Sequence, residues 1–170
     1  MSAASELKSL LVERGLTLAV AESLTCGRVQ ARIGEVSGAS HYFLGGVTAY
    51  ALDQKVNLLG VDRVDAERVR GVSAVVAEQM AIGVCGMFGA SIGVATTGYA
   101  EPSAENGVAE PFAWWALAHR AAAGAPVIAL RSGRIECPGA SRVEVQSRVA
   151  DVVLQELVRY LQSLSSGSDA

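Results

Sequence analysis

Histidine is scarce in this chain: there are only two in 170 residues. Cysteine is scarce too, and Cys26, Cys85 and Cys137 lie far apart with no CxxC pair. Neither a disulfide framework nor a zinc site is expected from three scattered thiols, and a reducing compartment follows as the default. No apolar run reaches about 18 residues, so no membrane-spanning helix is expected. Residues 1–15 lack the pattern of a secretory signal, and the expected location is the cytoplasm. Basic residues occur singly and the net charge is −3, which argues against a nucleic-acid surface.

Apolar residues make up 51% of the chain and charged residues 18%, the balance of a folded chain with a real core. Residues 1–164 read as one domain, followed by a frayed Ser-Gly-Ser tail over 165–170. Ser5 to Arg14 reads as a helix with Leu7, Leu10 and Leu11 on one face, ended by Gly15. Leu16–Ala21 reads as a buried strand, followed by a helix over 26–35 with Val29 and Ile33 inward. Phe43–Tyr50 is the next strand. Two short helices, Leu52–Leu59 and Asp62–Arg70, are broken at Gly60. Ser73 is placed to cap a helix running to Phe88, with Val76, Met80, Val84 and Met87 at core spacing. Ser91–Thr96 is a strand ending in Thr97-Gly98. Residues 99–111 carry Pro102, Asn106-Gly107 and Pro111 without periodicity, and read as a surface loop. Phe112–His119 and Val127–Ile135 form a hairpin, and Arg142–Leu164 an amphipathic helix.

Strands alternating with helices, closed by a hairpin, imply an α/β fold. The expected form is a three-layer α/β/α sandwich with a mixed, mostly parallel sheet of about five strands. Ligands in such folds bind beyond the carboxyl ends of the strands, where Ser23, Tyr50 and Thr97 all fall.

Three groups stand close in sequence: the Ser40 hydroxyl, the Tyr50 phenol and the Lys55 amine. A serine needs a base to become a nucleophile. A lysine can serve only if burial or a nearby cation lowers its pKa by several units from about 10.4. The bland alternative is a turn-capping serine and a solvated lysine. Glu22, Ser23 and Thr25 follow a strand and precede a helix, and read as N-capping residues, as a helix start facing an anion, or as both. Arg142 opens the last helix, where the helix dipole disfavours a cation, so it needs a carboxylate or a ligand as partner. His41 adjoins Ser40 but would point to the other face of an extended strand. Trp114 and Trp115 read as core or interface residues, with stacking on a ligand ring as the lesser reading.

The sequence resembles the CinA C-terminal domain family. The likeness runs from about Leu16 to Leu161. It is carried by Ala21-Glu-Ser-Leu-Thr-Cys-Gly27, Gly38-Ala-Ser40, Gly45-Gly-Val-Thr-Ala-Tyr50 with Lys55, Leu59-Gly-Val61, Gly71-Val-Ser73 and Thr97-Gly98. The resemblance implies hydrolysis of the carboxamide of nicotinamide mononucleotide to nicotinate mononucleotide and ammonia. It implies Ser40 as nucleophile, Lys55 as its base and Tyr50 as an assisting hydroxyl. Thr97 and Arg142 would orient substrate or stabilise the oxyanion, with Glu22, Ser23, Thr25, Gly27 and Gly98 around the ligand. No metal or organic cofactor is implied. The expected partners are a pyridine-nucleotide substrate and further copies of the chain, as a homodimer or small homo-oligomer.

This chain departs from the family pattern in its ligand loops. Cys26 stands where the family writes glycine. Tyr99-Ala-Glu-Pro-Ser-Ala-Glu105 stands where it writes Ile-Ala-Gly-Pro and more glycines. Glu110 replaces a lysine, and Gln146 an arginine. Carboxylates at Glu101, Glu105 and Glu110 are expected to oppose a bound phosphate. These changes motivate two other readings: a binding module without amidase activity, or an amidase for a carboxamide that carries no phosphate.

Overall fold

The computed structural model describes residues 2–164; the expected tail over 165–170 lies outside the described residues. Five strands form one sheet: β1 (Leu18–Glu22), β2 (Phe43–Thr48), β3 (Ile92–Tyr99), β4 (Phe112–Arg120) and β5 (Val127–Glu136), in the order β2-β1-β3-β4-β5. β1 is parallel to both β2 and β3, while β4 is antiparallel to β3 and to β5. Four of the five strands therefore run the same way, and the mixed, mostly parallel sheet expected from sequence is the one observed.

Among the described residues there are six α-helices: α1 (Ala3–Glu13), α2 (Arg28–Gly34), α3 (Leu52–Leu59), α4 (Arg63–Arg68), α5 (Ala74–Phe88) and α6 (Arg142–Ser163). Two apolar clusters lie on opposite faces. One joins Leu7, Leu11, Val29 and Ile33 to Val145, Val149, Val153, Leu157 and Leu161 of α6. The other joins Leu59, Val76, Met80 and Val84 to the alanines of the strands. Successive β1 residues alternate between them, Leu18 and Val20 facing one cluster and Ala19 and Ala21 the other. Every residue of β1 is buried, as a strand covered on both faces must be.

Local chemistry explains most boundaries. Ser73 Oγ accepts the Val76 N–H at 3.1 Å and starts α5, as the sequence predicts. α6 opens with a capping box between Ser141 and Glu144. Two expectations shift. Met87 is exposed, because the inward stripe of α5 runs through Val84 and Cys85 to Phe88, which still packs on the core, and leaves Met87 beside it. The loop 99–111 is shorter and more ordered than periodicity suggested: β3 extends to Tyr99, a 3-10 turn spans Ala104–Asn106, and Ser103 bridges to Val108.

The connection leaving β1 runs to β2 on one side, and that leaving β3 runs to β4 on the other. The carboxyl ends of β1 and β3 thus flank a topological switch point, where open α/β sheets form their clefts. Nearer the amino end of β3, the sheet and α5 meet closely because Gly93 lacks a side chain: a Cβ would lie 2.1 Å from the Ala81 carbonyl. Gly93→Ala is expected to destabilise the fold by about 1–3 kcal/mol through overpacking, read as a lower denaturation midpoint with unchanged m-value.

Candidate functional site

β1 ends at Glu22, and the next residue, Ser23, is held at the rim of the switch-point cleft. Its N–H donates to the Thr96 carbonyl of β3 at 3.1 Å, and its own carbonyl accepts the Cys26 N–H at 3.1 Å. Both ends of the Ser23 backbone are therefore tied down. Glu22 is fully buried, yet it faces the start of α2 and not the cleft. Its carboxylate accepts the N–H groups of Gly27 (3.0 Å), Val29 (3.2 Å) and Gln30 (2.9 Å). Gly27, the N-cap, has no side chain to do this, so Glu22 takes the capping role from five residues upstream.

Lys55 reaches the same point from the other side. β2 ends at Thr48, and Ala49-Tyr-Ala51 turns the chain into α3, which presents Lys55 one turn in. The side chain is 4% exposed. Its Nζ lies 2.9 Å from Ser23 Oγ and 2.9 Å from the Tyr50 carbonyl. No carboxylate faces it within hydrogen-bonding range among the described residues. Burial alone lowers its pKa from 10.5 to about 8. The turn at Gly71 closes over it, since a Cβ there would touch the Lys55 side chain at 3.7–3.8 Å.

The predicted pairing of Lys55 with Ser40 is overturned by this geometry. Ser40 sits on an exposed 3-10 turn, Ala39–His41, that precedes β2. That turn lies at the amino ends of the strands, where the Tyr42 carbonyl accepts the Leu18 N–H. Lys55 follows the carboxyl end of β2, about 17 Å away along the strand alone at roughly 3.3 Å per residue. Nearness in sequence misled because a whole strand intervenes. The serine that Lys55 meets is 32 residues upstream, and the clue available in sequence was its position directly after a buried strand.

A cavity of about 280 Å³ opens onto the pair, lined by Ser23, Tyr50, Lys55, Gly98 and Arg142 together with Arg70 and residues Tyr99 to Ser103. A roomier cleft of about 610 Å³ lies between α1, α2 and α6, but it holds no nucleophile beside a base. Tyr50 is half exposed, and its phenol oxygen accepts from Arg142 at 2.6 Å. Arg142 also donates to Glu101 at 3.0 Å, and this carboxylate is the partner that its place at a helix start calls for. The Tyr50 oxygen and Glu101 together raise the Arg142 pKa further.

Several predicted ligand residues do not line the cavity, and their polar groups are engaged inside the protein. Thr97 donates its hydroxyl to the Gly71 carbonyl at 2.6 Å and is fully buried. Thr25 is buried against the Thr96 hydroxyl at 2.8 Å. The Gly27 N–H donates to the Glu22 carboxylate, so Glu22 caps α2 while Ser23 faces the cavity. Of the three acids expected to oppose phosphate, only Glu101 lines the cavity. Glu110 accepts the Gly139 N–H at 2.9 Å. Cys26 is exposed and does not line the cavity. Its φ of +51° explains why glycine suits the position. Gln146 is buried on α6. Trp114 and Trp115 pack against the two apolar clusters, outside the cavity. Arg70 was missed by sequence reading. Its signal is a left-handed backbone, φ +52°, immediately before Gly71, which a sequence does not display.

The comparisons agree with this architecture. The family model for the CinA C-terminal domain matches residues 1–161. A CinA-like protein of Chlorobium limicola is 39% identical over 155 residues, covering 91% of this chain and 36% of that protein. A CinA-like protein of Acaryochloris marina is 50% identical over 98 residues, covering 58% of this chain and 23% of that protein. The chain thus spans about a third or less of these relatives' length. The solved structure of competence damage-inducible protein A from Klebsiella pneumoniae superposes with a TM-score of 0.86 at 24% identity, over 96% of this chain and 97% of the other, a likeness of fold. By its match along nearly the whole chain, this chain belongs to the CinA C-terminal domain family.

Proposed function

We propose that the chain is a serine amidase that hydrolyses the carboxamide of a nicotinamide-bearing nucleotide, nicotinamide mononucleotide being the first candidate. One observation carries this reading: a buried lysine, without a carboxylate partner among the described residues, 2.9 Å from a serine hydroxyl at the mouth of a cleft. Relative to the sequence-based assignment, the nucleophile moves from Ser40 to Ser23, while Lys55 keeps the role of base.

A neutral amine has one lone pair and two hydrogens. It can accept the Ser23 proton while still donating to the Tyr50 carbonyl, which holds it in line. Ser23 Oγ attacks the carboxamide carbon and its proton passes to Lys55. The ammonium so formed returns a proton to the departing nitrogen, and ammonia leaves an acyl-serine ester. Water then attacks the ester with Lys55 again as base, and the carboxylate product leaves. A dry, pre-aligned pair removes the need to strip and orient the amine at the moment of reaction. Arg142 holds the Tyr50 phenol at the rim, which suits Tyr50 to orienting substrate. The expected homodimer or small homo-oligomer, and the reading of residues 1–164 as one domain, belong to the same proposal.

Ammonia release from nicotinamide mononucleotide by the purified protein tests the reading. Ser23→Ala and Lys55→Ala are each expected to lower kcat about a thousandfold or more, within the usual range for losing a nucleophile or its base. Ser40→Ala, remote from the cleft, is expected to stay within twofold of the parent. Equal losses in Ser40→Ala and Ser23→Ala would reject the assignment of the nucleophile.

The base must be unprotonated, so kcat/KM is expected to rise with pH along a one-proton limb centred near 8. Stability carries the same signature. Between about pH 8 and 10.5 the unfolded chain binds more protons than the folded one, so stability rises with pH across that window and is flat below it. Denaturation midpoints of the parent and of Lys55→Met across this range check the sign: the rise is expected in the parent and reduced in the variant.

A further inference from the structure

We infer that Arg70 is the anion anchor of this cleft: it binds the phosphate of the substrate, while Arg142 is committed to positioning Tyr50. The inference rests on the amidase reading for the identity of the substrate. Its geometry is independent of which residue is the nucleophile.

Two arginines line the cavity. Arg142 is already neutralised, with the Glu101 carboxylate at 3.0 Å and the Tyr50 phenol at 2.6 Å. A phosphate brought to Arg142 has to displace Glu101 or sit beside it, and either course sets like charges together. Arg70 differs. Its hydrogen bonds go to the Glu105 carbonyl and the Asn106 side-chain carbonyl, both uncharged. Among the described residues it forms no ion pair. A phosphate at Arg70 exchanges neutral acceptors for an anionic one, and charge-assisted, bidentate bonds are the stronger kind.

The backbone supports the same role. Arg70 takes a left-handed conformation that residues other than glycine rarely adopt, between the end of α4 and Gly71. Such conformations persist where the surroundings hold them, often at ligand clamps. The next residue, Gly71, packs on Lys55 and accepts the Thr97 hydroxyl, so the turn carrying Arg70 is anchored to the reacting amine and to β3. A guanidinium fixed there places an anion at a set span from Ser23. The acids that this chain has in place of glycines do not cancel it: Glu105 offers Arg70 its backbone carbonyl, and Glu101 is held by Arg142.

The test compares nicotinamide mononucleotide with nicotinamide riboside, which lacks the phosphate, on the parent and on Arg70→Gln and Arg70→Lys. For Arg70→Gln the KM ratio is expected to shift at least tenfold against the mononucleotide, with kcat for the riboside little changed and Arg70→Lys intermediate. A ratio unchanged within twofold overturns the inference. Calorimetric titration of both ligands into Ser23→Ala, with and without Arg70→Gln, reads binding without turnover. If the parent releases ammonia from neither compound the amidase reading fails, and the titration still decides Arg70. An affinity for the mononucleotide that falls at least tenfold with Arg70→Gln supports the anchor. An unchanged affinity, or no measurable binding of the mononucleotide, overturns it.

Discussion

A lysine amine removed from water, with a serine hydroxyl and one backbone carbonyl as its neighbours, is the constraint around which the cleft is arranged. Burying an ammonium without a counter-ion is unfavourable, and a chain that does so ordinarily supplies a carboxylate or moves the amine to solvent. Here Glu22, the buried acid nearest in sequence to Ser23, is turned to the start of α2 and engaged by three N–H groups. Its charge is thereby taken up by helix capping, and Lys55 is left to be poised by desolvation alone. The division of labour between Glu22 and Ser23, adjacent in the chain, follows from the alternation of side chains where β1 ends.

That arrangement depends in turn on rigid surroundings. β1 is covered on both faces and paired on both edges, so Ser23 has little freedom to drift. Lys55 lies on the first turn of α3, the turn at Gly71 shields it, and Thr97 ties that turn to β3. Thr25, Thr97 and Gly27, which sequence reading put around the ligand, stand behind the cavity wall: Thr25 meets the Thr96 hydroxyl, Thr97 holds the Gly71 turn, and the Gly27 N–H donates to Glu22. A site assembled this way needs few groups in contact with substrate and many that hold those groups still.

Of the departures that sequence reading marked in the ligand loops, Glu101 lines the cleft while Glu110 and Cys26 lie outside it. Glu101 engages Arg142 and, through it, the Tyr50 phenol. Glu110 does not line the cavity and accepts the Gly139 N–H from the turn before α6. Cys26 takes a glycine-like backbone conformation without entering the cavity. Three substitutions that look alike on paper, each placing a side chain where the family has glycine or lysine, thus act on three different parts of the molecule.

The layered α/β form, the order of helices and strands and nearly all the inward-facing residues were readable from periodicity and capping signals. Those depend on interactions within a few residues: Ser73 caps the helix it precedes, and the α6 stripe from Val145 to Leu161 repeats at helical spacing. The site was half legible. Ser23, Tyr50, Lys55, Gly98 and Arg142, read from sequence as site residues, all line the cavity, because strand ends and an ill-placed charge leave local traces. Which serine meets the lysine was not legible, since Ser40 is closer in number and Ser23 closer in space. Parallel strands put residues that share a cleft one full crossover apart, and they put sequence neighbours on either side of a strand at opposite ends of the sheet. The chemistry of this chain therefore lay in its residue types, and the partner of its amine in the crossing of its strands.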